Sequence, residues 1–91
     1  MTLSKPVEWS KEKNEILKKE RGIGFEDIVE AFDQNHVIDS IDHPNKQKYG
    51  HQKIFVVYIS QYIYFVPYVE DDRKIFLKTI FANRRAMKQY I

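Results

Sequence analysis

Five residues have the chemistry to act on a phosphodiester without a metal: His51, Lys53, Lys78, Arg84 and Arg85. Cleaving RNA needs a base for the 2′-hydroxyl proton, a cation to stabilise the charged phosphorane, and an acid for the leaving oxygen. His51 can serve as base or acid because imidazole titrates near neutrality, while the lysines and arginines can hold the phosphate. Lys48, Tyr64, Tyr68 and Lys74 would extend the surface, since cations meet phosphates and tyrosine faces stack on bases. For each residue an ordinary reading stands beside this one. His51 can be a polar residue at a strand entrance, and Arg84 and Arg85 can be a solvated helical turn.

Cations in that turn are disfavoured by the helix dipole, so an anionic ligand would account better for Arg84 and Arg85. The 91-residue chain has a formal net charge of only +2, but no acid follows Asp72, whereas Arg73, Lys74, Lys78, Arg84, Arg85 and Lys88 all do. There is no cysteine, so no disulfide or thiolate metal site is available. No Gly-rich phosphate loop or nucleophile elbow is present, and His36, His43 and His51 lack metal-site spacing. No cofactor or metal is expected. No early apolar run has signal-peptide length, and Ile54 to Val69 is interrupted by Ser60 and Gln61, so a cytoplasmic protein without a membrane span is expected.

The elements that must position these residues follow from periodicity. The length suits one domain, with residues 1–8 read as a tail. Ser10 can cap a solvated helix that stops at Gly22. Phe25, Ile28, Val29 and Phe32 form the stripe of a second helix that packs on a sheet. His36 to Ile41 reads as an edge strand, and Asp42 to Gly50 as a basic, aromatic loop.

Lys53 to Phe81 reads as three further strands. A two-residue turn at Ser60-Gln61 places Tyr64 across from Val57, Val66 from Phe55 and Tyr68 from Lys53. The more apolar face, with Ile54, Val56, Tyr58, Ile63, Phe65, Pro67 and Val69, is expected to lie under the helices. An odd-length turn after Glu70 would add Ile75, Leu77 and Phe81 to that face and leave Lys74, Phe76 and Lys78 with the tyrosines. Pro67 predicts a bulge or local break. Asn83 can cap a short last helix, Arg84 to Tyr90, with Ala86, Met87 and Tyr90 on one side. The expected fold is thus α+β: two N-terminal helices on one face of a four-stranded antiparallel meander, then a short C-terminal helix.

Two stretches carry a family resemblance. Trp9, Lys13, Gly22, Ile23 and Phe25, followed by Glu26 and Asp27, and then Ala82-Asn83-Arg84-Arg85-Ala86, resemble the BrnT family of bacterial toxins, relatives of the RelE-type ribonucleases. The chain departs from the family pattern at Glu20-Arg21, where the family has Lys-His, and at Thr79, beside Lys78, where it has a strand Arg. The acid of the last helix also has no counterpart before Tyr90. The resemblance implies an endoribonuclease that slows translation. It also implies a ribbon-helix-helix antitoxin as partner, with DNA bound only through that antitoxin. The residues by themselves leave two alternatives: a noncatalytic module that binds a partner protein, and a single-stranded nucleic-acid binder.

Overall fold

The computed structural model describes residues 3–90. Val7–Trp9 (β1) leads into helix α1, Lys11–Arg21, where the Ser10 side chain accepts from the Lys13 N–H. Gly22 closes α1 at φ 68°, a left-handed position that favours glycine. Helix α2, Phe25–Asp33, starts where the Asp27 carboxylate accepts from the Gly24 N–H at 2.9 Å. A Cβ at Gly24 would come within 2.9 Å of Asn14 Oδ1, so glycine leaves room for that side chain.

Asn14 joins the helices. It is 3% exposed, takes the Phe25 N–H on Oδ1 at 2.7 Å, and donates through Nδ2 to Glu26 at 2.8 Å. Asn14→Ala leaves the buried Phe25 N–H unpartnered, an expected loss of about 1–3 kcal/mol by urea unfolding. The Asn14 bond is also the main reason that the Glu26 carboxyl lies below its ordinary value of 4.5. A carboxyl held down in the folded state contributes stability above that value and loses it as pH falls through its folded pKa. The variant should therefore lose less stability than wild type as pH falls below 4.5. Glu26 is largely solvent-exposed, so the difference is small.

The remaining elements are β2 (Val37–Asp42), α3 (Lys46–Tyr49), β3 (Lys53–Ile59), β4 (Tyr62–Glu70), β5 (Ile75–Leu77), β6 (Phe81–Ala82) and α4 (Arg84–Tyr90). The result is an α+β protein with one six-stranded mixed sheet in the order β1-β5-β4-β3-β2, and β6 pairs with β4 beside β5. The expected meander, β2 to β5, is antiparallel throughout. Three elements were not anticipated: β6, the one-turn α3 inside the 42–50 loop, and β1. Part of the expected tail is β1, which pairs in parallel with β5, Val7 opposite Ile75 and Trp9 opposite Leu77.

Ser60 and Gln61 both have positive φ, 51° and 70°, the primed geometry that suits a two-residue hairpin. The pairing is as expected: Lys53 with Tyr68, Phe55 with Val66, and Val57 with Tyr64. Pro67 stays within β4, and the break falls in its neighbour. Lys78 donates to the Pro67 carbonyl, no reciprocal bond is possible from a proline, and β5 ends at Leu77 with β6 starting only at Phe81.

The face assignment is reversed. Helices α1 and α2 cover the face bearing Phe55, Val57, Val66, Tyr68, Ile75 and Leu77, and Phe32 meets Phe55 edge-on at 4.9 Å. The cause lies in the turn after Glu70. The Asp71 carboxylate accepts from the Arg73 and Lys74 N–H groups, which gives a four-residue loop with Glu70 opposite Ile75. An even loop moves Ile75 and Leu77 to the Tyr68 face and tips the apolar balance there. The other face has its own smaller core, in which Ala86, Met87 and Tyr90 of α4 pack on Val56, Ile63, Phe65, Tyr58 and Ile41.

Candidate nucleic-acid interface

The expected site residues separate into three groups. The first gathers where β3 begins. His51 and Lys53 are exposed and line an open cleft of about 310 Å³ with Lys5, Tyr68, Glu70, Asp71 and Asp72. Lys5 pairs with Glu70 at 2.7 Å, and that bond holds its ammonium above the ordinary value. The Arg73 and Lys74 N–H groups hold the Asp71 carboxyl below its own. Three carboxylates around His51 and Lys53 disfavour a phosphate on this side.

On its other side His51 borders a hollow of about 190 Å³ shared with Asp42, His43, Lys46, Tyr49 and Lys53. Lys48 sits nearby, its ammonium 5.3 Å from the Tyr49 ring centroid. His43 accepts the Asn45 N–H on Nδ1 at 3.1 Å, and its ring lies 4.5 Å from Tyr49. The loop therefore brings Lys48, His51 and Lys53 together on a partly cationic, aromatic surface.

Tyr64 and Tyr68 form the second group, and neither is a free stacking platform. Tyr68 is 4% exposed, stacks on Phe55 at 3.7 Å, and shares a 2.6 Å hydrogen bond with Ser40. Tyr64 is half-buried against the main core. Both lie on the helix-covered face, because the parity that aligns them with Lys53 also aligns them with Phe55 and Val57. Lys74 and Lys78 lie on the opposite face. Lys74 pairs with Glu8 at 3.4 Å, and Lys78 sits 5.5 Å from the Phe76 ring centroid. The common face expected for Lys53, Tyr64, Tyr68, Lys74 and Lys78 is not formed.

Arg84 and Arg85 make the third group at the far end of the hairpin. Asn83 fixes them, since its N–H donates to the Ile63 carbonyl and its side chain accepts from the Ala86 N–H at 3.1 Å. Ile63 and Tyr68 are five residues apart along β4, about 16 Å at strand rise. The arginines and His51 thus flank opposite ends of the sheet and do not converge on one phosphate. Both arginines are exposed, and among the described residues neither has an ion pair or hydrogen bond. No acid lies in the first turn of α4.

Sequence reasoning missed the pairing of Tyr90 with Asp39. The Tyr90 hydroxyl donates to Asp39 at 2.8 Å, and this bond, with burial, raises its pKa above the ordinary value and keeps it protonated. The two residues are 51 positions apart, so no local pattern announces the contact. Among the described residues no group of three or more His, Asp or Glu side chains is placed to hold a metal ion, and no helix is long and apolar enough to cross a membrane. No protein-family model, no curated protein and no solved structure matches the chain.

Proposed function

We propose that the chain is the toxin-type member of a toxin–antitoxin pair, a BrnT/RelE-like metal-independent endoribonuclease of the cytoplasm that a ribbon-helix-helix antitoxin neutralises. The observation that carries this reading is the exposed Arg84–Arg85 pair at a helix start, without an ion pair among the described residues, where an anion would offset the unfavourable dipole. Two further features support it. Both stretches behind the family resemblance take part in tertiary contacts: Trp9 stacks on Phe25 at 5.6 Å, while Asn83 caps α4 and Ala86 docks it. Apart from the additional β1, α3 and β6, the order helix, helix, antiparallel meander, helix is the one the resemblance implies. In this reading the arginines stabilise phosphate charge, and Lys48, Lys53 and His51 hold the strand further along.

A second reading is favoured by the dispersal of His51, Lys53, Lys78, Arg84 and Arg85 over both ends and both faces: a noncatalytic module that binds a partner protein. Incubation with RNA in EDTA, beside an Arg84→Ala/Arg85→Ala variant, separates the two. The toxin reading expects cutting by wild type and none by the variant. It also expects the salt slope of single-stranded RNA binding to fall by about 1.4, at roughly 0.7 per phosphate contact. Both side chains are exposed, so the variant should keep its stability to within about 0.5 kcal/mol. Salt-sensitive binding without cutting would leave a single-stranded nucleic-acid binder, and neither activity would leave the protein-binding module. A small basic ribbon-helix-helix protein encoded by the neighbouring reading frame would favour the toxin.

A further inference from the structure

The tyrosines expected to stack on bases are in the core, yet another aromatic surface opens at the end of α4. Tyr58 and Tyr90 line an open hollow of about 240 Å³ with Ile38, His36 and Asn35. The backbone around it is irregular. Asn35 has φ 61°, and β2 slips register between Val37 and Asp39, which leaves Ile38 out of the pairing and 44% exposed at the hollow. Bulges of this kind re-aim a side chain and are enriched beside functional sites. The Asp39 carboxylate, engaged by the Tyr90 hydroxyl, fixes the Tyr90 ring as one wall.

The surroundings select the occupant. Helix α4 ends at this hollow and carries Arg84, Arg85 and Lys88, all exposed, while its buried side is Ala86, Met87 and Tyr90. Arg84 and Lys88 are four residues apart, a like-charge spacing that is unfavourable without a counter-ion. The six steps from Arg84 to Tyr90 rise about 9 Å, so the cations track directly to the aromatic wall. At about 240 Å³ the hollow is smaller than the roughly 300–1,000 Å³ of drug-sized ligand sites, so it suits one planar ring system rather than a whole cofactor.

We propose that this hollow binds one base of a single-stranded RNA whose phosphates run along the Arg84, Arg85 and Lys88 face of α4. The inference rests on the RNA-directed reading above and deepens it. The base packs against Tyr58, Tyr90 and Ile38, and His36, whose ring has no partner among the described residues, lies at its edge. Stacking on aromatic walls is worth about 5- to 150-fold in affinity per base.

The test is fluorescence anisotropy with a short labelled oligoribonucleotide whose 2′-hydroxyls are methylated so that it cannot be cut, competed by the same strand with abasic positions. Wild type should bind the base-bearing strand about tenfold more tightly, within the range for one stacked base. Ile38→Glu places a carboxylate at the hollow from an exposed position, and His36→Ala is a second exposed change. Ile38→Glu should erase the preference while leaving affinity for the abasic strand within about twofold, with thermal melts confirming the fold. An equal affinity of wild type for the two strands, or a preference unchanged in both variants, overturns the base site and leaves RNA binding standing. An absence of RNA binding by wild type overturns the RNA-directed reading itself, and the base site with it.

Discussion

Replacing Tyr68 with alanine is expected to lower the unfolding free energy by about 3–5 kcal/mol, the range for deleting a large buried ring. Its side chain lies between Phe55, on which it stacks at 3.7 Å, and Ser40, with which it shares a hydrogen bond, and only 4% of its surface reaches solvent. A domain of this size has roughly 5–15 kcal/mol in all, so the variant should melt at least about 12 °C lower. Tyr68→Phe keeps the ring and loses the hydroxyl contact, so about 0.5–1.5 kcal/mol is expected. Thermal and urea unfolding measure both. A Tyr68→Ala protein that melts like wild type but loses RNA affinity would return Tyr68 to a ligand surface.

Phe25→Ala should cost a similar 3–5 kcal/mol or so. Phe25 is 0% exposed at the first position of α2 and stacks on Trp9, so it ties the N-terminal strand to the helical layer. Losing it leaves a cavity that β1 and α2 share, beside a β1–β5 pairing of only three residue pairs. Ile16→Ala is the control: at 40% exposed on α1, it should change stability by less than about 0.5 kcal/mol. Trp9 is the single tryptophan, so its emission reports the loosening directly during urea unfolding. A Phe25 variant as stable as the Ile16 control would mean that the Trp9–Phe25 contact does not anchor the strand.

Helix caps, the hairpin and its register were legible in the sequence because each depends on residues close together in the chain. Ser10, Gly22 and Asn83 act at the helix ends where their types suggest, and the Ser60-Gln61 turn sets the Lys53–Tyr68 pairing. The candidate site was legible only in parts. The loop residues Lys48, His51 and Lys53 do gather, and Arg84 and Arg85 are exposed at a helix start, but nothing local states the distance between those two groups. Tyr58, Ile38 and Tyr90 come together from three elements, and only a bulge and a crossing helix bring them into one hollow.

The sequence by itself determined which strand residues share a face, because side-chain period two and a two-residue turn leave no other parity. Tertiary structure decided which face the helices cover. Both faces are apolar, one through Ile54, Val56 and Ile63 and the other through Phe55, Val57 and Val66, so local pattern could not choose between them. The choice fell to the Asp71 turn, whose even length carries Ile75 and Leu77 to the Phe55 side, and to β1, which pairs across most of the chain. The second face was left to a helix too short to be stable unless docked, and the cations of α4 face solvent as a consequence.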